Sequence, residues 1–114
     1  MANIYLSAKK DLTTNTVTTL YTVPSNSRAI VKSILVSSDS GSATTITVDL
    51  FDADPASGNK FTLFNTAAVD ANESIQLLTE PLIMLENEVL QVTAADADRL
   101  FTTASILEIN REDR

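Results

Sequence analysis

Along most of this chain apolar and polar residues alternate in short runs, and clusters of turn-forming residues separate the runs. A period of two places successive side chains on opposite faces of an extended strand, so the pattern predicts β structure nearly throughout. Thr, Val, Ile and Leu dominate the runs, which suits a pleated, half-buried surface. No stretch carries a helical period. The first clear strand runs from Val17 to Val23 and is stopped by Pro24 and the turn Ser25-Asn26-Ser27, because proline donates no ladder hydrogen bond.

Arg28 to Ser37 is the longest run. Strict alternation puts Ala29, Val31, Ser33 and Leu35 on one face and Arg28, Ile30, Lys32, Ile34 and Val36 on the other. The second face mixes apolar residues with Lys32, whose stem can lie along a hydrophobic surface, so this strand is expected to be covered on both sides. Thr44 to Asp52 alternates cleanly, with Ile46, Val48 and Leu50 against Thr45, Thr47 and Asp49. The turn DADPASGN then leads into a strand at Lys60 to Phe64, read as a hairpin. Further runs cover Ser74 to Leu78, Leu82 to Leu85 after the stop at Pro81, Glu88 to Ala94, and Leu100 to Ile109.

About eight short strands with no helical crossovers require mainly antiparallel pairing, so the expected fold is an all-β, two-sheet antiparallel sandwich, jelly-roll-like or immunoglobulin-like. Strand order is not readable from one sequence. The expected organisation is an N-terminal arm or edge strand over 1–16, a single sandwich domain over 17–110 and a charged C-terminal tail over 111–114. With 114 residues and an apolar share of 44%, one hydrophobic core suffices.

Composition narrows function by exclusion. The chain contains neither Cys nor His, which removes disulfides, thiolate ligands, the usual zinc ligands and every Ser-His or Cys-His nucleophile pair. The expectation is a protein with no enzymatic activity and no cofactor. A net charge of −7 repels phosphate backbones and anionic head groups, so neither nucleic acid nor membrane is an expected partner. No window approaches the run of about 20 apolar residues that spans a bilayer, and MANIYLSAKKDL lacks a signal-peptide layout. Synthesis and retention in the cytoplasm follow as expectations.

Two acidic clusters invite a metal reading. Asp52 and Asp54 place oxygens at short spacing beside Asn59, but the calcium-loop register fails: Ala56, Ser57 and Leu63 occupy positions that need an oxygen ligand, a Gly and a Glu. A solvated turn is the better account, as it is for Asp96 and Asp98, whose side chains suit bonding to local backbone. Glu73, Glu80, Glu86 and Glu88 fall at strand ends and turns, where charge keeps sheet edges soluble. The N-terminal segment instead carries an apolar group, Ile4, Tyr5 and Leu6, followed by Lys9 and Lys10. Arg28 and Lys32, read either as surface salt-bridge partners or as a basic contact for an acidic partner, complete the candidate partner-binding set, and the arm either packs as an edge strand or adds to a neighbouring subunit.

The run LYTVPSNSRAIVKSILVSSDSG, Leu20 to Gly41, and the run NESIQLLTEPLIMLENEVLQVTAADADRLFTTASILEI, Asn72 to Ile109, resemble small structural proteins of tailed bacteriophages of the marine and cyanophage type. The resemblance covers most of the chain and carries no catalytic residues. It implies a virion component. The leading expectation is a capsid decoration or cement protein on the outer surface of the head, bound to the major capsid protein or other virion proteins, with self-association as a homotrimer. A tail or tail-fibre module is the alternative. A carbohydrate-binding module is the third, disfavoured because such sites present aromatic platforms and this chain has 4 Phe, 2 Tyr and no Trp.

Overall fold

The computed structural model describes residues 2–110, without the side chain of Ala2; Met1 and the charged tail 111–114 lie outside the described residues. Nine strands make up the described chain: β1 (Ala2–Leu12), β2 (Thr18–Thr22), β3 (Ser27–Ser38), β4 (Thr44–Phe51), β5 (Lys60–Val69), β6 (Ser74–Gln76), β7 (Leu82–Met84), β8 (Val89–Ala94) and β9 (Leu100–Asn110). All pairings are antiparallel. Sheet A has the order β1-β9-β3, with β6 and β7 one after the other along the far edge of β3, β7 on its first half and β6 on its second. Sheet B has the order β2-β8-β4-β5.

The pairs are nested. β4 pairs with β5, β3 with β6 and β7, β2 with β8 and β1 with β9, as if one long hairpin had been folded over itself. Only one pair of consecutive strands, β4 and β5, is hydrogen-bonded. That order is the two-Greek-key jelly roll and excludes an immunoglobulin sandwich, in which several consecutive strands are neighbours within a sheet. The expected all-β antiparallel sandwich is thus what the chain adopts, with the jelly-roll alternative selected by strand order.

The core fills the space between the sheets. Leu12, Ala29, Val31, Ile34, Val36, Met84, Leu100, Ala104 and Ile106 project from sheet A, and Ile46, Val48, Leu90, Val92 and Ala94 from sheet B. One of these assignments corrects strict alternation. Between Val31 and Ser33 the pairing of β3 with β9 shifts by one residue, leaving Lys32 unmatched in a β-bulge. The bulge resets the parity, so Ala29, Val31, Ile34 and Val36 share the buried face, while Leu35 turns outward. The two-sided burial expected from the sequence was an artefact of counting through the bulge.

Turns use Asn and Asp where other chains use Gly. Asn26, Asn72, Asn87 and Asp98 adopt φ values of 62°, 56°, 66° and 60°, in the left-handed region that these short polar side chains tolerate. Gly58 is required for a different reason. A Cβ there would lie 2.8 Å from the backbone nitrogen of Ala53, across the β4–β5 loop.

Candidate binding face

Two outward rows, one on each sheet, differ in chemistry. Across sheet B, the register aligns Thr19, Gln91, Asp49 and Thr62. These groups satisfy one another laterally: Gln91 Nε2 donates to Thr19 Oγ1 at 3.2 Å, and the Thr62 hydroxyl donates to Asp49 Oδ1 at 2.7 Å. This row is wholly polar. Across sheet A, the register aligns Tyr5, Leu107, Ile30 and Ile83 on β1, β9, β3 and β7. Tyr5 is 75% exposed and Ile83 58% exposed, with Leu107 and Ile30 half-buried between them.

Two cations flank this apolar row. Arg28 lies opposite Ile109, two pairs along the ladder and so on the same face, and is exposed. Lys32 is carried outward by the bulge, and its Nζ sits 6.0 Å from the centroid of the Tyr5 ring, a contact worth at most about 0.5–1 kcal/mol at an exposed site. Tyr5, Leu6, Ser7, Lys32, Ser105 and Ile106 line a shallow concavity there. This patch thus combines outward apolar side chains with two basic ones in a chain of net charge −7.

The sequence grouping Ile4-Tyr5-Leu6 does not survive as one patch. In a strand, neighbours alternate faces: Tyr5 points outward, whereas Leu6 packs against the core opposite Ile106. Ile4 shares the inward parity with Leu6 but sits where the sheet ends and remains 42% exposed. Lys9 and Lys10 divide in the same way, Lys9 beside Thr103 on the outer face and Lys10 beside buried Thr102. Of the seven residues singled out, Tyr5, Arg28 and Lys32 come together; Lys9 lies further along the same face. Leu107, Ile30 and Ile83 complete the row and were missed, since only strand pairing brings them side by side.

A polar link joins the sheets at one end of the core. Glu108 faces inward on β9, 8% exposed, and accepts a hydrogen bond of 2.6 Å from the Tyr21 hydroxyl on β2. Burial foremost, then this carboxylate, pushes the Tyr21 phenol well above its usual value. Below pH about 10 the phenol is protonated in folded and unfolded chains alike; above it the unfolded chain ionises first, so stability is lost as pH rises through 10. Urea midpoints measured between pH 8 and 11 are expected to fall over that window, and Tyr21→Phe is expected to flatten the slope. The same variant strands a buried carboxylate, so at neutral pH it should cost about 1–3 kcal/mol.

The acidic loops are internally occupied. Asp52 accepts from the backbone and side chain of Asn59 at 2.7 and 3.2 Å, and Asp54 accepts from the Ala56 amide at 2.9 Å. Asp96 reaches further than the local backbone expected of it. It accepts from the Thr44 hydroxyl at 2.6 Å and pairs with Arg99 at 3.4 Å, tying the β8–β9 loop to the start of β4. Among the described residues, no group of three or more acidic side chains could hold a metal ion.

No family model matches the chain, and no curated protein matches it by sequence. Solved structures do. A chain of the infectious bursal disease virus T13 particle aligns with a TM-score of 0.58 at 9% identity, over 95% of this chain and 31% of that one. A chain of the acid-stable capsid of Helicobacter pylori bacteriophage KHP30 aligns with a TM-score of 0.55 at 12% identity, over 98% of this chain and 90% of that one. A chain of the virus-like particle of extra small virus from the giant freshwater prawn Macrobrachium rosenbergii aligns at 0.51 and 13% identity, over 98% and 80%. Structural neighbours of this jelly roll therefore include virus-particle proteins. At such identities the likeness is one of fold. The chain spans less than a third of the bursal disease virus chain it matches, but nine-tenths of the KHP30 chain. A family 22 carbohydrate-binding module of Clostridium thermocellum aligns less well, with a TM-score of 0.47 at 19% identity, over 84% of this chain and 64% of that one.

Proposed function

We propose that this protein is a non-enzymatic structural component of a virus particle, a phage decoration protein that binds the outer surface of the head and bridges neighbouring capsid subunits. The observation that carries this reading is the outward row Tyr5–Leu107–Ile30–Ile83 with Arg28 and Lys32 beside it. Such a row offers apolar area for desolvation, and the two cations favour a partner with acidic residues around an apolar patch. The fold shared with the KHP30 capsid chain, almost end to end, supports the virion setting. Mechanically, many modest contacts of this kind raise the barrier to separating capsomers.

Copy number is the test. Quantitative mass spectrometry of purified particles is expected to find this chain at a level comparable with the major capsid protein. Absence from particles, or presence in only a handful of copies as a tail module requires, would overturn the decoration reading. Ile30→Asp together with Ile83→Asp is expected to abolish incorporation while leaving the isolated domain folded.

A further inference from the structure

Five strands stand at sheet edges: β1, β6 and β7 in sheet A, β2 and β5 in sheet B. Four of them are blunted. β6 and β7 have 3 residues each, and β2 has 5 with a register break around Leu20. β5 loses register with β4 twice and holds Thr66, a β-branched residue, at φ 49°. β1 is different. Its 11 residues match β9 one for one without a shift, and its outer edge pairs with no strand among the described residues. A long straight edge presents a row of unpaired backbone donors and acceptors, which proteins usually guard with charge, proline or a bulge. In β1 the charges are confined to Lys9, Lys10 and Asp11, leaving Ala2–Ala8 uncharged and free of Pro and Gly.

We infer that the occupant of this edge is a second copy of the chain, paired antiparallel through residues 2–8 about a two-fold axis at Tyr5. In that register Tyr5 faces its own copy, Ile4 faces Leu6, Asn3 faces Ser7 and Ala2 faces Ala8. Each pair joins residues of the same parity, so the outer faces of both copies stay on one side. Lys9, Lys10 and Asp11 fall beyond the paired segment, and no like charges meet across the axis. The half-exposed Ile4 gains cover from Leu6 of the second copy. Tyr5, the most exposed of the large apolar side chains, acquires a cross-strand aromatic partner. The apolar row of sheet A then continues unbroken from Ile83 of one copy to Ile83 of the other. A strand pairs with itself only across a two-fold axis, so this edge builds a dimer and not the trimer expected from the sequence.

The pairing is independent of the virion reading and is tested on the isolated protein. Sedimentation equilibrium is expected to give a dimer for the wild type. Tyr5→Lys and Tyr5→Glu each set like charges directly opposite one another and are expected to give monomers with unchanged circular dichroism, since Tyr5 is largely solvent-exposed in the single chain, and with a Tm that no longer rises with protein concentration as the dimer's does. Mixing the two variants in equal amounts is expected to restore a dimer containing one of each. In the otherwise Cys-free chain, Tyr5→Cys is expected to oxidise to a covalent dimer, because paired Cα atoms across an antiparallel ladder lie about 4.5–5.5 Å apart, within disulfide reach. A monomeric or trimeric wild type, a Tyr5→Lys variant that remains dimeric, or a mixture that fails to recombine would each overturn the proposal.

Discussion

Deletion of Lys32 is expected to leave the protein folded, whereas deletion of Ile30, two residues earlier in the same strand, is expected to unfold it. Lys32 is the extra residue of the bulge: Val31 pairs with Ile106 and Ser33 with Ser105 on either side of it. Removing it joins the two halves of β3 into a regular strand in which Val31, Ile34 and Val36 keep their inward positions. The cost should stay within the ordinary range for a single change, about 0.5–3 kcal/mol. Removing Ile30 allows no such repair. If the C-terminal part of β3 keeps its register, Arg28 moves to an inward position; if the N-terminal part keeps it, Lys32 does. Either outcome buries an unpaired cation, whose desolvation costs several kcal/mol. Urea denaturation followed by circular dichroism distinguishes the two: a cooperative transition for the Lys32 deletion and none for the Ile30 deletion.

The second large effect is a cavity in sheet B. Leu90 is fully buried on β8, paired with Tyr21 on one side and Leu50 on the other. Truncation to Ala in such a site removes transfer energy and leaves a void that neighbouring strands cannot close, costing about 2–5 kcal/mol. Against a typical total of about 5–15 kcal/mol, that is a large fraction of the stability. Calorimetry is expected to show Tm falling by roughly 10–25 °C for Leu90→Ala. Ile83→Ala, on the exposed apolar row, should change stability by less than about 1 kcal/mol. A small effect at Leu90, or an equal one at Ile83, would contradict the placement of the core between the sheets and of the apolar row outside it.

These two predictions also mark where the sequence was legible. Leu90 and Val92 alternate with Gln91 and Thr93, and Ile46, Val48 and Leu50 with Thr45 and Thr47, so the buried face of sheet B follows from a period of two. The same rule failed in β3. A bulge is a difference of one residue between two strands, and nothing in the 28–37 run alone distinguishes an extra Lys32 from a regular position. The candidate face on sheet A was half legible for a related reason. Tyr5 stood out within the apolar group of the N-terminal segment, and Arg28 and Lys32 as basic residues, but Leu107, Ile30 and Ile83 read as ordinary strand residues until pairing set them beside Tyr5.

The sequence by itself determined that this chain is all-β, that its strands pair antiparallel, where most of its turns fall and which chemistries it lacks. These are local properties: alternation, turn residues and composition act within a few positions, and the absence of His and Cys needs no fold to be true. The tertiary structure alone decided the nested strand order of the jelly roll, the bulge at Lys32, the burial of Glu108 against Tyr21 and the apolar row on sheet A. Each of these joins residues far apart in the chain, Tyr21 and Glu108 by 87 positions. Such pairings are fixed by the packing of two whole sheets against one core, and no short window of sequence contains them.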